Sequence, residues 1–140
     1  RPPPLSTLFP YTTLFRSSDL LHGTGPLELD IPGASPFPVK RANTFGLRFL
    51  GLMGRKRVTY GLWLSPCDAI HMLFMRFPLD AVFLDRNGII TSIRIGVRPW
   101  GFAFGGKGAH SVLELPAGAK LGSLLHTGIP VPLRRNPSQK

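Results

Sequence analysis

The sequence predicts a mainly β chain, a single antiparallel β-sandwich or jelly-roll-like domain with one short helix. Three observations predict it. Short apolar runs, alternating with polar residues or nearly continuous, recur along the chain with turn residues between them, which is the pattern of half-buried and buried strands. The 140 residues include Gly 16 and Pro 15, a composition that favours turns over long helices. Only one window, Ala42 to Arg55, repeats its apolar residues at helical spacing.

Residues 1–20 carry Pro2, Pro3, Pro4 and Pro10 and keep neither a period of 2 nor one of 3.6. The run Leu8 to Ser17 resembles translated sequencing-adapter read-through, so the segment is expected to be foreign and unstructured. It also lacks the clean apolar stretch and small-residue cleavage site of a signal peptide. Leu27-Glu-Leu-Asp-Ile31 alternates and predicts a half-buried strand. After a Pro32-Gly33 turn, Phe37 to Arg41 predicts a weaker strand that Pro38 marks as an edge. In the helical window Phe45, Phe49, Leu52 and Met53 share one face, and Asn43 or Thr44 is placed to cap the start. Gly46, Gly51 and Gly54 each cost about 1 kcal/mol against Ala inside a helix and keep it short.

Tyr60 to Leu64 predicts a strand, and Ile70 to Met75 a buried one. Ala81 to Leu84 and Ile89 to Ile95 predict a hairpin across Asp85-Arg-Asn-Gly88, where Asn87 and Gly88 tolerate positive φ. Arg98-Pro-Trp100 closes that hairpin, and Gly101 to Gly108 is expected as a flexible glycine-rich loop. Ser111 to Leu115 predicts another strand, Pro116 to Gly122 one helical turn, and Ile129 to Leu133 a proline-limited edge strand. The folded domain is thus expected over residues 21–133, with 134–140 as a basic tail.

The length suits one domain with its own hydrophobic core. The formal charge is +10, from 17 basic and 7 acidic residues. The basic residues are scattered, however, and the two clusters, Arg55-Lys-Arg57 and Arg134-Arg135, are not interleaved with aromatics. That distribution reads as solvated surface charge and speaks against a nucleic-acid partner. One cysteine rules out an internal disulfide. Arg48, Arg76, Asp80 and Arg94 interrupt every run that approaches the roughly 18 to 20 apolar residues of a membrane span. The chain is expected to be soluble, with the cytoplasm as default compartment and export left open.

Several blocks occur in a recognisable order. They are Thr44-Phe45, Arg48 and Gly51-Leu-Met-Gly-Arg55; Pro66-Cys67, Ile70-His71 and Phe74-Met-Arg-Phe-Pro-Leu-Asp80; Val82-Phe-Leu-Asp85 and Asn87-Gly88; Arg98-Pro-Trp100; and Val112-Leu-Glu-Leu-Pro-Ala-Gly118. From about Lys40 to about Gly122 the chain resembles the prokaryotic family known as domain of unknown function 192. The resemblance implies a compact, mostly antiparallel β-fold of jelly-roll or sandwich type and carries no established activity with it. Two departures stand out: residues Lys56 to Gly61 lack the acidic residues often seen there, and no acidic residue follows the glycine of Thr127-Gly-Ile129.

Cys67, His71 and Met75 offer thiolate, imidazole and thioether, a donor set suited to copper. Successive members are four residues apart, about 13 Å on a strand, so one ion could be shared only if other strands completed the site. The plainer reading is a buried thiol and a thioether filling core gaps. A Cys67 nucleophile activated by His71 meets the same separation; no G-x-S-x-G elbow is present, and His22, His110 and His126 sit in loop-like stretches. Gly101 to Lys107 fits G-x-x-x-x-G-K, but Gly108 replaces the hydroxyl residue and a strand follows instead of a helix, so the match is assigned to chance.

Arg76 and Asp80 flank Phe77-Pro-Leu79. Either they pair and fix that corner, or they join His71 and Trp100 at one end of the sandwich, where an arginine fork and an indole platform suit an anionic ligand. Arg98 and Glu114 complete the candidate set. Glu114 faces opposite Leu113 and Leu115 and is expected to be exposed or paired with a base. The reading that follows is a non-catalytic binding or accessory module for a small polar or anionic ligand, with no cofactor. Its candidate residues are His71, Arg76, Asp80, Arg98, Trp100 and Glu114. A hydrolase- or transferase-type enzyme using His71 and Asp80, with or without Cys67, is the alternative, and a copper-binding protein the second.

Overall fold

Each strand presents successive side chains to opposite faces of its sheet, so the placement of apolar residues along the strands decides how this chain layers. The computed structural model describes residues 25–42, 59–65, 69–71 and 77–136. Among them are nine strands: β1 (Leu27–Leu29), β2 (Phe37–Ala42), β3 (Gly61–Leu64), β4 (Ala69–His71), β5 (Leu79–Leu84), β6 (Ile90–Val97), β7 (Phe102–Phe104), β8 (Ser111–Pro116) and β9 (Leu133–Arg135). Seven build one sheet in the order β6-β5-β8-β3-β2-β1-β9, and β4 pairs with β7 in a small second sheet. The chain is mainly β, as its sequence predicts. The large sheet is mixed rather than purely antiparallel, because β2 and β3 run parallel. A parallel pair requires a long crossover, and the sequence between Ala42 and Gly61 has the length for one.

The alternation sorts two cores onto the two faces of the large sheet. Trp63, Val82, Leu84, Leu113 and Leu115 join Leu27, Leu29, Val39 and Leu133 on the first face, closed by Leu121, Leu125 and Val131. Leu62, Leu64, Leu79, Ala81, Phe83 and Val112 occupy the second, closed by Ala103 of β7 with Phe77, Tyr60 and Ala109. Covered on both sides, β5 and β8 are buried along their whole lengths. No helix of the described residues is long and apolar enough to cross a membrane.

The β5–β6 hairpin forms where expected. The Asp85 carboxylate accepts hydrogen bonds from the backbone N–H groups of Asn87 (2.8 Å) and Ile89 (2.9 Å), which fixes the turn. Relative to β5, β6 carries an extra residue in two places, between Leu79 and Ala81 and between Phe83 and Leu84. Such bulges twist an edge strand and discourage further pairing. Thr91 donates its hydroxyl to the Phe83 carbonyl at the second bulge (3.2 Å).

Three expectations change. The expected loop from Gly101 to Gly108 contains β7, which pairs with β4 in the register Ala69↔Phe104, Ile70↔Ala103, His71↔Phe102; the surrounding glycines hide a β-compatible Phe-Ala-Phe. Pro38 does not mark an edge, because β2 lies between β1 and β3. It precedes Val39, where the ladder to β3 begins, so its missing N–H removes no bond there. The last strand is indeed an edge but starts at Leu133, beyond Pro130 and Pro132, and it includes Arg134 and Arg135. The expected turn after Pro116 is present as 3-10 turns at Ala117–Ala119 and Gly122–Leu124. Apart from Ala42, which ends β2, the helix expected over Ala42 to Arg55 lies outside the described residues.

Candidate functional site

Strand register distributes the candidate residues to different places. Asp80 stands opposite Leu115 in the β5–β8 ladder, which puts its side chain on the first face beside the apolar core, 1% exposed. A carboxylate there needs hydrogen bonds to offset its desolvation. The bulge in β6 supplies one: Gly96, at φ +67°, turns its N–H to Asp80 Oδ1 at 2.8 Å. Gly122 closes over the other oxygen, since a Cβ at that position would lie 2.7 Å from Asp80 Oδ2. Asp80 is thus held between a strand bulge and a 3-10 turn.

Glu114 does face opposite Leu113 and Leu115, but it is not solvent-exposed. It stands in register with Ala81 and Leu62 on the second face and is 4% exposed, on the side that Ala103 of β7 closes with Phe77, Tyr60 and Ala109. It is engaged in an interaction within the chain. Asp80 and Glu114 therefore project from opposite faces of one sheet and do not share a ligand.

His71 ends β4, opposite Phe102. Arg76, Cys67 and Met75 lie outside the described residues, and with them the expected Arg76–Asp80 pairing and the copper donor set. Among the described residues no three His, Cys, Asp or Glu side chains gather into a metal-sized group. Arg98 and Trp100 are both exposed in the turn joining β6 to β7, closed by the Gly101 N–H on the Arg98 carbonyl at 2.9 Å. Trp100 has φ +67°. A bulky side chain in the left-handed region costs about 1–2 kcal/mol, so this indole is presented to solvent at the expense of backbone strain.

Next to that turn, β6 and β7 border an open cleft of about 430 Å³ lined by Arg94, Ile95, Val97, Phe102, Ala103 and Phe104. Ala103 points into the second core, while Phe102 and Phe104 point outward, 68% and 64% exposed. Their rings stack with centroids 6.2 Å apart and planes 16° apart. Arg94 contributes the one charged side chain of this lining. Of the acidic residues on β1 and next to it, Glu28 and Asp30 are engaged far away at the other edge, by Arg134 at 2.6 and 3.1 Å. Sequence reasoning missed Phe102 and Phe104, whose spacing of two was the available signal, and it noted Arg94 only as an interruption of an apolar run.

The DUF192 family model, described as an uncharacterized ACR, matches residues 28–131. A UPF0127 protein of Thermococcus sibiricus is 37% identical over 86 residues, which cover 57% of this chain and 55% of that protein. A UPF0127 protein of Pyrococcus furiosus is 33% identical over 85 residues, 57% of this chain and 72% of its own length. The match thus spans about half the length of the first relative and nearly three quarters of the second. Two crystal structures share the fold, each with a TM-score of 0.63 over 78% of this chain. One, at 22% identity and 91% of its own length, is a Sinorhizobium meliloti protein provisionally described as a transcription regulator. The other, at 19% identity and 83%, is a protein of unknown function from Novosphingobium aromaticivorans.

Proposed function

The chain belongs to the DUF192 family, and from that premise we propose that it is a non-catalytic binding module whose site is the cleft between β6 and β7. Its ligand is small and carries a flat apolar group together with an anionic group. The observation that carries this reading is the pair of stacked, outward-facing rings of Phe102 and Phe104 beside Arg94 in a cleft of ligand-holding size. The rings offer an apolar surface to a planar group, and the guanidinium offers a fork to carboxylate or phosphate. Exposed Trp100 and Arg98, at the adjoining turn, extend the same chemistry and retain two of the residues that the sequence singles out. Asp80 supports a structural role instead of a general base: one oxygen holds the Gly96 N–H and the other is packed against Gly122.

The test is thermal melting in the presence of aromatic carboxylates and nucleoside monophosphates. A ligand that binds only the folded state at about 100 times its Kd adds roughly 2.7 kcal/mol of stability. One of these classes is expected to raise the midpoint of the wild-type chain and to lose most of that effect in Arg94→Gln, with the unliganded midpoint unchanged. A full ligand-induced shift in Arg94→Gln, or no shift from either class, would overturn the reading.

A further inference from the structure

The sheet face that carries Trp63 ends in arginines toward β9. Arg41 stands opposite Trp63 in the β2–β3 register, while Leu27 links Val39 of β2 to Arg135 of β9. Residues two apart on a strand share a face. Val39 and Leu133 both belong to the first core, so Arg41 and Arg135 project from that same face. Two strand spacings across and two residues along put their backbones about 12 Å apart, a span that two arginine side chains converging on one anion can bridge. Between them β1 begins at an open position. Arg41 Nε donates to the Gly25 carbonyl at 3.0 Å, and a Cβ at Gly25 would meet no atom within 4 Å.

Trp63 supplies an independent observation. It is 5% exposed, and its indole N–H is buried with no hydrogen-bond partner among the described residues, an arrangement that buried donors rarely keep without a reason. The Arg41 guanidinium lies over that indole, Cζ 5.7 Å from the ring centroid. Burial first, and the charge of Arg135 second, lower the Arg41 pKa from the usual arginine value. The fold thus holds two positive charges close enough to oppose one another, one of them partly desolvated, beside a buried donor without an acceptor among the described residues.

We propose that Arg41, Arg135 and the Trp63 indole N–H form a second binding site, for an oxyanion of the phosphate or carboxylate class, separate from the β6–β7 cleft. Guanidinium forks suit such groups bidentately, the indole N–H adds a donor from the core side, and the anion relieves the repulsion between the arginines. The site does not depend on the cleft reading.

The experiment follows the Trp63 indole ¹H–¹⁵N cross-peak of the full chain, assigned by its survival in Trp100→Phe. Inorganic phosphate and acetate are titrated separately, with chloride holding the ionic strength constant. A saturable shift is expected with at least one of them; saturation by phosphate alone identifies a phosphate-bearing ligand, and by acetate alone a carboxylate. Arg135→Gln is expected to weaken binding about tenfold, and Arg135→Lys, which keeps the charge and loses the fork, by less. Arg135 is exposed, so both variants should retain the other cross-peaks of the wild-type spectrum. An indole signal that stays still, that moves linearly in either titration without saturating, or that saturates equally well in Arg135→Gln would overturn the proposal.

Discussion

Two regions of this molecule break the rule that strands bury apolar residues and expose polar ones, and they break it in opposite directions. In β5 and β8 every residue is buried, among them the charged side chains of Asp80 and Glu114. In β7 the large apolar residues, Phe102 and Phe104, face water. A buried carboxylate and an exposed aromatic pair are the observations that carry information about a folded chain, but they do not carry the same information. Asp80 is accounted for by its neighbours: it takes the N–H that the bulge at Gly96 redirects, and a glycine turn covers it. Nothing in the core accounts for the stacked phenylalanines, since Ala103 between them makes the inward contact. Asp80 in the centre thus serves the fold, whereas the rings at the rim make no inward contact that would explain them and are what the proposed ligand would cover.

Phenylalanine allows the sharpest test, because the same side chain occurs in both regions. Phe83 is fully buried in the second core; Phe83→Ala should cost about 3–5 kcal/mol of unfolding free energy in urea. A cost below about 1 kcal/mol would mean that the second face is not a packed core.

Asp80→Ala comes next. It leaves the part-buried Gly96 N–H without its acceptor, and a lost partner of this kind costs about 1–3 kcal/mol. Asp80→Asn keeps an acceptor oxygen and should cost less than Asp80→Ala. If both variants were as stable as wild type and one lost ligand binding, Asp80 would move from the fold to a site. Gly122→Ala attacks the same clasp from the other side, since the added methyl would meet Asp80 Oδ2 at 2.7 Å and Ile95 Cδ1 at 2.9 Å. Overpacking of this kind costs about 1–3 kcal/mol, and combining it with Asp80→Ala should cost less than the sum of the two, because truncating Asp80 removes the oxygen that the new methyl would meet.

Arg134→Ala has a smaller effect. Arg134 bonds Glu28 and Asp30 across the β1–β9 edge with about a third of its side chain in water. The pair with Asp30 is open to solvent and contributes about 0–1 kcal/mol, but the Glu28 side chain is only 10% exposed, and leaving it without this partner brings the expected loss to about 1–2 kcal/mol. A loss of several kcal/mol would show that this edge is part of the core and not a margin.

The sequence makes the central strands legible and the rim obscure, for different physical reasons. β5 and β8 are short apolar runs ended by turn residues, so their burial follows from local composition. That Glu114 faces away from Leu113 follows from the two-residue period, whereas its burial depends on β7 and the residues around it covering that face, a contact no local pattern encodes. Asp80 stands out in the sequence as a charge within an apolar stretch. Its partner is a backbone group sixteen residues away, brought there by a bulge that shifts the β5–β6 register. β7 is the reverse case: Phe-Ala-Phe has the strand period, but the glycines on either side outweigh three residues of pattern. The composition of the Gly101 to Gly108 segment therefore conceals the strand whose outward residues line the proposed cleft.

The smallest effect on stability is expected from those outward residues. Both rings are about two-thirds exposed, and removing a side chain that water already surrounds leaves unfolding free energy within about 0.5 kcal/mol. Phe102→Ala and Phe104→Ala should therefore unfold at nearly the wild-type urea midpoint while losing binding of the ligand found by thermal melting. Each ring stacks on the other, so the double variant should bind no more weakly than the poorer single one if the pair acts as one surface. Full additivity would mean two separate contacts. A large loss of stability from either change would instead place the rings under a cover that belongs to the fold, and the contrast between centre and rim would disappear.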